Sequence, residues 1–104
     1  MKSTIIIATA VAALGLSLGA SAVDQNAAEK AKNLCAGCHG PNGISVNPLW
    51  PNLAGQKAAY IEKAMLDYKT GQRTDPTMSA IAATVNDSEL AALGAYYAAL
   101  PPGG

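Results

Sequence analysis

Apolar positions recur at helical spacing in three stretches of the chain, separated by runs rich in Gly, Pro and Asn. The first stretch predicts a helix from about Asp24 to Cys35. Asn26 and Glu29 have capping-box spacing there, and Asp24 is the other candidate for the N-cap. The second predicts a helix from about Gln56 to Thr70. Ile61, Met65 and Tyr68 share one face, Ala58 and Ala64 lie beside them, and Gly71 is a natural stop. The third predicts a helix from about Asp87 to Leu100, with Leu90, Leu93, Tyr97 and Leu100 as its apolar stripe. Asn86 and Glu89 again have capping-box spacing, and Pro101 ends the element. A short helical turn over about Ser79 to Thr84 precedes it. No period-two pattern of a strand is present, so the predicted class is all-α. Gly94, inside the third helix, costs about 1 kcal/mol against Ala. It marks either a tolerant position or close contact with another helix or a bound group.

The N-terminus reads as a leader rather than as part of the fold. Lys2 is a short positive region, Ile5 to Leu18 is apolar apart from Thr9, Gly15 and Ser17, and Ala20-Ser21-Ala22 supplies the small residues of a cleavage site. The apolar run is shorter than the roughly 20 residues of a spanning helix. Residues 1–22 are therefore expected to be a cleaved secretory signal peptide, and no stable membrane anchor is expected. Residues 23–104 would be the mature domain, in a periplasm-like compartment.

A chain of 104 residues holds one such domain at most. Its formal net charge is zero and its pI is near 6.5. Without Lys2, one of seven basic side chains, the formal charge becomes −1. Nucleic-acid binding, which needs a clustered basic face, is not expected. The sequence has no Phe and one Trp, too little aromatic bulk for an ordinary core of this size. Domains this small usually add a staple or a large apolar insert. The single cysteine pair, Cys35 and Cys38, would close only a tiny disulfide loop and stabilise little.

Cys35-Ala36-Gly37-Cys38-His39 explains the pair better. Two cysteines three apart, followed at once by His, form the attachment signature of c-type haem. Each thiol would add to one vinyl group, and the next imidazole would then lie under the iron. Gly37 would keep the turn slim against the ring. A structural zinc site wants four ligands, and the chain holds two Cys and one His in all. A thioredoxin-like pair would lie in a βαβ pattern, which is not visible. The expected cofactor is therefore one covalent haem c.

A sixth iron ligand would come from elsewhere. Beyond the initiator there are two methionines. Met65, in line with Ile61 and Tyr68, reads as core filler. Met78 follows Asp75-Pro76-Thr77, read as a loop able to bring a thioether over the ring. The alternative is an open sixth site. An axial His usually donates its second N–H to a carbonyl. Pro51, in Trp50-Pro51-Asn52-Leu53-Ala54-Gly55-Gln56, has a carbonyl and no N–H.

The chain resembles the small monohaem class I cytochromes c of bacteria, in particular the c553 and c5 group and the single domains of dihaem cytochromes c4. The matching stretches are CAGCHG at Cys35 to Gly40, PNLAGQ at Pro51 to Gln56, YIEKAMLDYKTGQR at Tyr60 to Arg73, PTMSAIA at Pro76 to Ala82, and LAALGAYYAAL at Leu90 to Leu100. They cover nearly all of residues 23–104. The resemblance implies three main helices around one haem, the first and last crossing. It implies His39 as proximal ligand, Met78 as distal ligand, and the Pro51 carbonyl as acceptor for the His39 Nδ1–H. It places Gln56 and Arg73 near the haem propionates. Gly94 stands where Ala is more usual, and the stretch Asn47 to Trp50 is individual to this chain.

The function this implies is a periplasmic electron carrier that docks transiently with redox partner proteins and is not an enzyme. Two rivals stand beside it: a haem subunit of a larger dehydrogenase, and an open-site haem protein with ligand-binding or peroxidase-like activity.

Overall fold

In the computed structural model, which describes residues 3–6 and 25–103, every regular element among the described residues is helical. The order is α1 (Gln25–Lys30), a π-helical turn (Ala31–Cys35), α2 (Ala36–His39), α3 (Ala58–Thr70), α4 (Pro76–Ala83) and α5 (Asp87–Ala98). The first three are continuous, so the N-terminal helix runs through His39 rather than ending at Cys35. Its widened π turn ends on Cys35, the first residue of the Cys-x-x-Cys-His stretch; such turns concentrate at functional sites. Asn26 lies within the helix, which is already helical at Gln25, so it is not the N-cap. Asp24, the other candidate, lies outside the described residues. So does the leader expected at 1–22, apart from residues 3–6. No helix among the described residues is long and apolar enough to cross a membrane.

α5 is the centre of the packing. It lies against α3 along its length and against α1, and α4 covers another part of α3. The core takes Ala27 and Ala31 from the N-terminal helix, Ile61 and Met65 from α3, Ala82 and Val85 from the α4 region, and Leu90, Leu93 and Tyr97 from α5. Alanines on the first helix keep its axis near α5, and Lys30 pairs with Glu89 across that crossing. At the α3 crossing, a Cβ on Gly94 would lie 2.7 Å from the Ala58 carbonyl oxygen. Gly94 therefore serves close helix contact, one of the two readings open from the sequence.

The helix ends follow local chemistry. Asn86 and Glu89 form the capping box their spacing predicts: the Glu89 N–H donates to Asn86 Oδ1 at 2.9 Å, and the Asn86 N–H to Glu89 Oε1 at 3.1 Å. α5 stops at Ala98, before the predicted Leu100. Pro101 disfavours helical backbone at Leu100, and the Tyr97 carbonyl accepts instead from the N–H groups of Leu100 and Gly55. α3 starts at Ala58 and ends at Gly71, whose φ of +83° is left-handed.

α4 differs most from expectation, beginning at Pro76 rather than at about Ser79. Asp75 Oδ1 accepts from the N–H groups of Thr77 and Met78 at 2.9 and 2.7 Å, and Pro76 takes the first helical position. An Asp cap followed by Pro is a strong helix start. Met78 thus sits in the first turn of a helix, not in a loop.

Candidate haem site

The two cysteines and His39 come from one continuous piece of helix, which spaces them before any tertiary contact is made. Cys35 and Cys38 are half-buried free thiols. His39 is buried at 8% exposure, and its Nδ1 lies 2.8 Å from the Pro51 carbonyl oxygen. A carbonyl only accepts, so Nδ1 carries the proton and Nε2 keeps its lone pair for a metal.

The loop after His39 fixes that pairing. Gly40, at φ +89°, turns the chain so tightly that a Cβ would lie 1.9 Å from the Ile44 carbonyl oxygen. The Gly43 carbonyl accepts from the N–H groups of Leu53 and Ala54 at 2.8 and 3.0 Å. The Ser45 hydroxyl donates to the Cys38 carbonyl at 3.2 Å, and the Ser45 N–H donates to Asn52 Oδ1 at 2.8 Å. Residues 40–55 thereby fold back on themselves and present the Pro51 carbonyl to the imidazole.

Cys35, Cys38, His39, Pro51, Met65 and Met78 all border one cavity of about 540 Å³. Its walls are largely apolar, with Ile61, Ala64, Tyr68, Ile81, Leu93 and Tyr97 among them. Met65 belongs to the packed core, whereas Met78 is half-buried beside it. The mouth carries Leu49 and Trp50, exposed at 84% and 44%. Gln56, Arg73 and Asp75 also line the cavity, and the Arg73 guanidinium stacks 4.7 Å above the Tyr68 ring. Gly37 approaches no protein atom beyond its own neighbourhood, so nothing within the chain itself requires a glycine there.

Burial pushes the Cys35 thiol pKa up, and a hydrogen bond from Tyr97 partly offsets the rise. The Tyr97 phenol is also pushed up, first by burial and then by Cys35 and Tyr96. From the sequence Tyr97 appears only as part of an apolar stripe. Its hydroxyl contact with Cys35 has no local signal, because the two residues meet only when α5 packs on the first helix.

Two thiols, an imidazole with a free Nε2 and a thioether around one apolar cavity fit a covalently attached haem. Among the described residues, no three His, Cys, Asp or Glu side chains are placed to hold a bare metal ion.

This helical frame and this cavity define a class I c-type cytochrome. The family model for cytochrome c matches residues 25–100, and the chain belongs to that family, whose members bind haem c covalently. It is 44% identical to the cytochrome c4 of Thiocapsa roseopersicina over 72 residues, covering 69% of this chain and 37% of that one. It is 38% identical to the thiosulfate dehydrogenase electron acceptor of Stutzerimonas stutzeri strain A1501, covering 97% of this chain and 50% of that protein. Reduced recombinant cytochrome c4 from Pseudomonas stutzeri has a similar structure, with a TM-score of 0.63 and 33% identity over 75% of this chain and 50% of that one. The chain thus spans half or less of the length of these relatives, and resembles one part of a c4 cytochrome.

Proposed function

We propose that this chain is a one-electron carrier with a single covalent haem c, attached through Cys35 and Cys38 and ligated by His39 and Met78. The observation that carries the proposal is the single cavity bordered by all four side chains. The haem would supply an iron that changes oxidation state, with His/Met ligation raising its potential. The chain's own residues do the rest. Pro51 holds the His39 ring in the tautomer that leaves Nε2 free. Asp75 holds the first turn of α4, and with it Met78. With His39 and Met78 both holding the iron, the chain would leave no open site for a substrate, and the haem would supply electron transfer without bond making.

Docking would use the mouth of the cavity. No Asp, Glu, Lys or Arg lies between Ala36 and Gln56, and that stretch includes the exposed Leu49 and Trp50. A small, uncharged, apolar contact suits a transient redox encounter. Its rate should depend little on ionic strength. The similarity to the thiosulfate dehydrogenase electron acceptor of Stutzerimonas stutzeri supports a role of this kind.

The leader pattern at residues 1–22 supports export to the periplasm, where cleavage after Ala22 would leave a chain starting at Val23. The test is the denatured mass of the protein matured in a periplasm. The expected mass is that of residues 23–104 plus one haem. A haem-free chain, or haem lost on denaturation, overturns the proposal.

A further inference from the structure

α4 carries Met78 and has eight residues, too few to hold a helix without support from the rest of the fold. Its two ends are held differently. Asp75 caps the first turn. The last turn has no basic side chain of its own to meet the carbonyls that a helix end leaves unpaired. The Thr84 N–H and hydroxyl both turn back to the Ile81 carbonyl, at 3.0 and 2.7 Å, and the Val85 N–H to the Ala82 carbonyl at 3.2 Å. The Val85 carbonyl accepts from another helix. Lys69, in the last turn of α3, donates to it from Nζ at 2.5 Å. The same Nζ lies 3.0 Å from Oδ1 of Asp87, the first residue of α5.

One ammonium thus ties the end of α3 to the end of α4 and the start of α5. It faces the negative end of α4 on one side and a carboxylate on the other, and a cation is favoured by both. The Lys69 side chain is only 27% exposed, against 73% for Lys63, whose pair with Asp67 lies within α3. An exposed pair of that kind contributes little. A charge-assisted bond to the carbonyl of Val85, a core residue at 1% exposure, contributes more.

We propose that Lys69 is a positioning residue of the distal side: it clamps the far end of α4 and so keeps Met78 at the cavity. The inference rests on the reading of Met78 as an iron ligand. Without the clamp, α4 should open ahead of the rest of the fold, while α5 and the His39 side stay in place. Opening of one segment below global unfolding is how a weakly held element behaves.

The test compares wild-type holoprotein with the Lys69→Met and Lys69→Arg variants, with Lys63→Met as the control. Amide hydrogen exchange is followed by NMR in the reduced protein. The sulfur-to-iron band of the oxidised protein is followed on heating, beside the far-ultraviolet helix signal. Lys69→Met keeps the apolar stem and removes the ammonium. Its α4 amides should exchange about tenfold faster, the factor that one lost charge-assisted hydrogen bond implies, through an opening that leaves Leu93 and Tyr97 on α5 protected. Its sulfur-to-iron band should fade before the helix signal. Lys69→Arg should restore both properties, and Lys63→Met should change neither. Unchanged α4 exchange, or loss of band and helix signal in one step, overturns the proposal, because a merely stabilising pair would act on the whole fold at once. If Lys69→Met does not accumulate, the wild-type ammonium decides. The Lys69 Nζ protons should exchange with water more slowly than those of Lys63, and equal rates overturn the proposal. Wild type without the sulfur-to-iron band would sink the ligand reading alone, and α4 exchange would still decide the clamp.

Discussion

The two sides of the cavity are built in different ways. On the His39 side, motif and support are close in sequence. The helix through His39, the Gly40 turn and the folded loop to Gly55 form one unit that aims an imidazole through a 2.8 Å hydrogen bond. On the Met78 side, a thioether rides on a helix of eight residues whose start depends on one aspartate. The first side is fixed by backbone geometry, the second by a cap. The Met78 side should therefore respond to the loss of one side chain, and the His39 side to any change that disturbs its turn.

The sharpest way to break this comparison is at the methionines. Met78→Ala is expected to abolish the sulfur-to-iron absorption of the oxidised protein, whereas Met65→Leu keeps it and costs about 1 kcal/mol, as a volume-conserving core exchange does. The reverse result would move the proposed ligand to α3. Next in size are two glycines. Gly40→Ala meets both a strained φ and the Ile44 carbonyl. It should destabilise by about 4 kcal/mol, combining backbone strain with overpacking. Gly71→Ala, also at positive φ but in open space, should cost about 1–2 kcal/mol. Equal losses in denaturant melts would show that the proximal turn is not specially constrained.

The caps sharpen the comparison further. Asp75→Ala and Asn86→Ala each remove a capping side chain and should each cost about 1 kcal/mol. In a domain of this size that lowers Tm by about 4–8 °C. Only Asp75→Ala should also weaken the sulfur-to-iron band, because only that cap holds Met78. The smallest effect lies at the crossing of α1 and α5. The Glu89 carboxyl is held below its ordinary range, first by the Lys30 hydrogen bond and then by the Asn86 N–H. A carboxyl pKa depressed by folding contributes stability above the unfolded-state value, about 4.3. That contribution is lost as pH falls through the folded value. Glu89→Gln should therefore melt slightly below wild type at neutral pH, with the difference fading in acid.

Much of this was legible in the sequence, for reasons that differ by region. The helical class, the α5 capping box and the Gly71 stop follow from local spacing, and each lies within a residue or two of its place. Attachment of haem demands particular residues at fixed separations, so Cys35, Cys38 and His39 stood out without any fold. The start of α4 lies three residues ahead of the expected Ser79, because Asp75-Pro76 suits a loop and a helix start equally well in sequence. The run of helix through the haem motif also departs from expectation. Nothing in Ala31 to Cys35 signals a π turn, and Gly37 inside the motif suggested a turn. Met78 therefore lies in the first turn of a helix and not in the loop that its spacing predicts, and it borders the same cavity as His39. Tyr97 was invisible as a polar group because its partner lies on another helix.

The most direct test of the account is the visible and near-infrared spectrum of wild-type protein matured in a periplasm, oxidised and reduced. The account predicts a sharp low-spin c-type spectrum when reduced, and a sulfur-to-iron band when oxidised. A high-spin spectrum without that band would contradict it, leaving an open sixth position and pointing to ligand binding or peroxide chemistry.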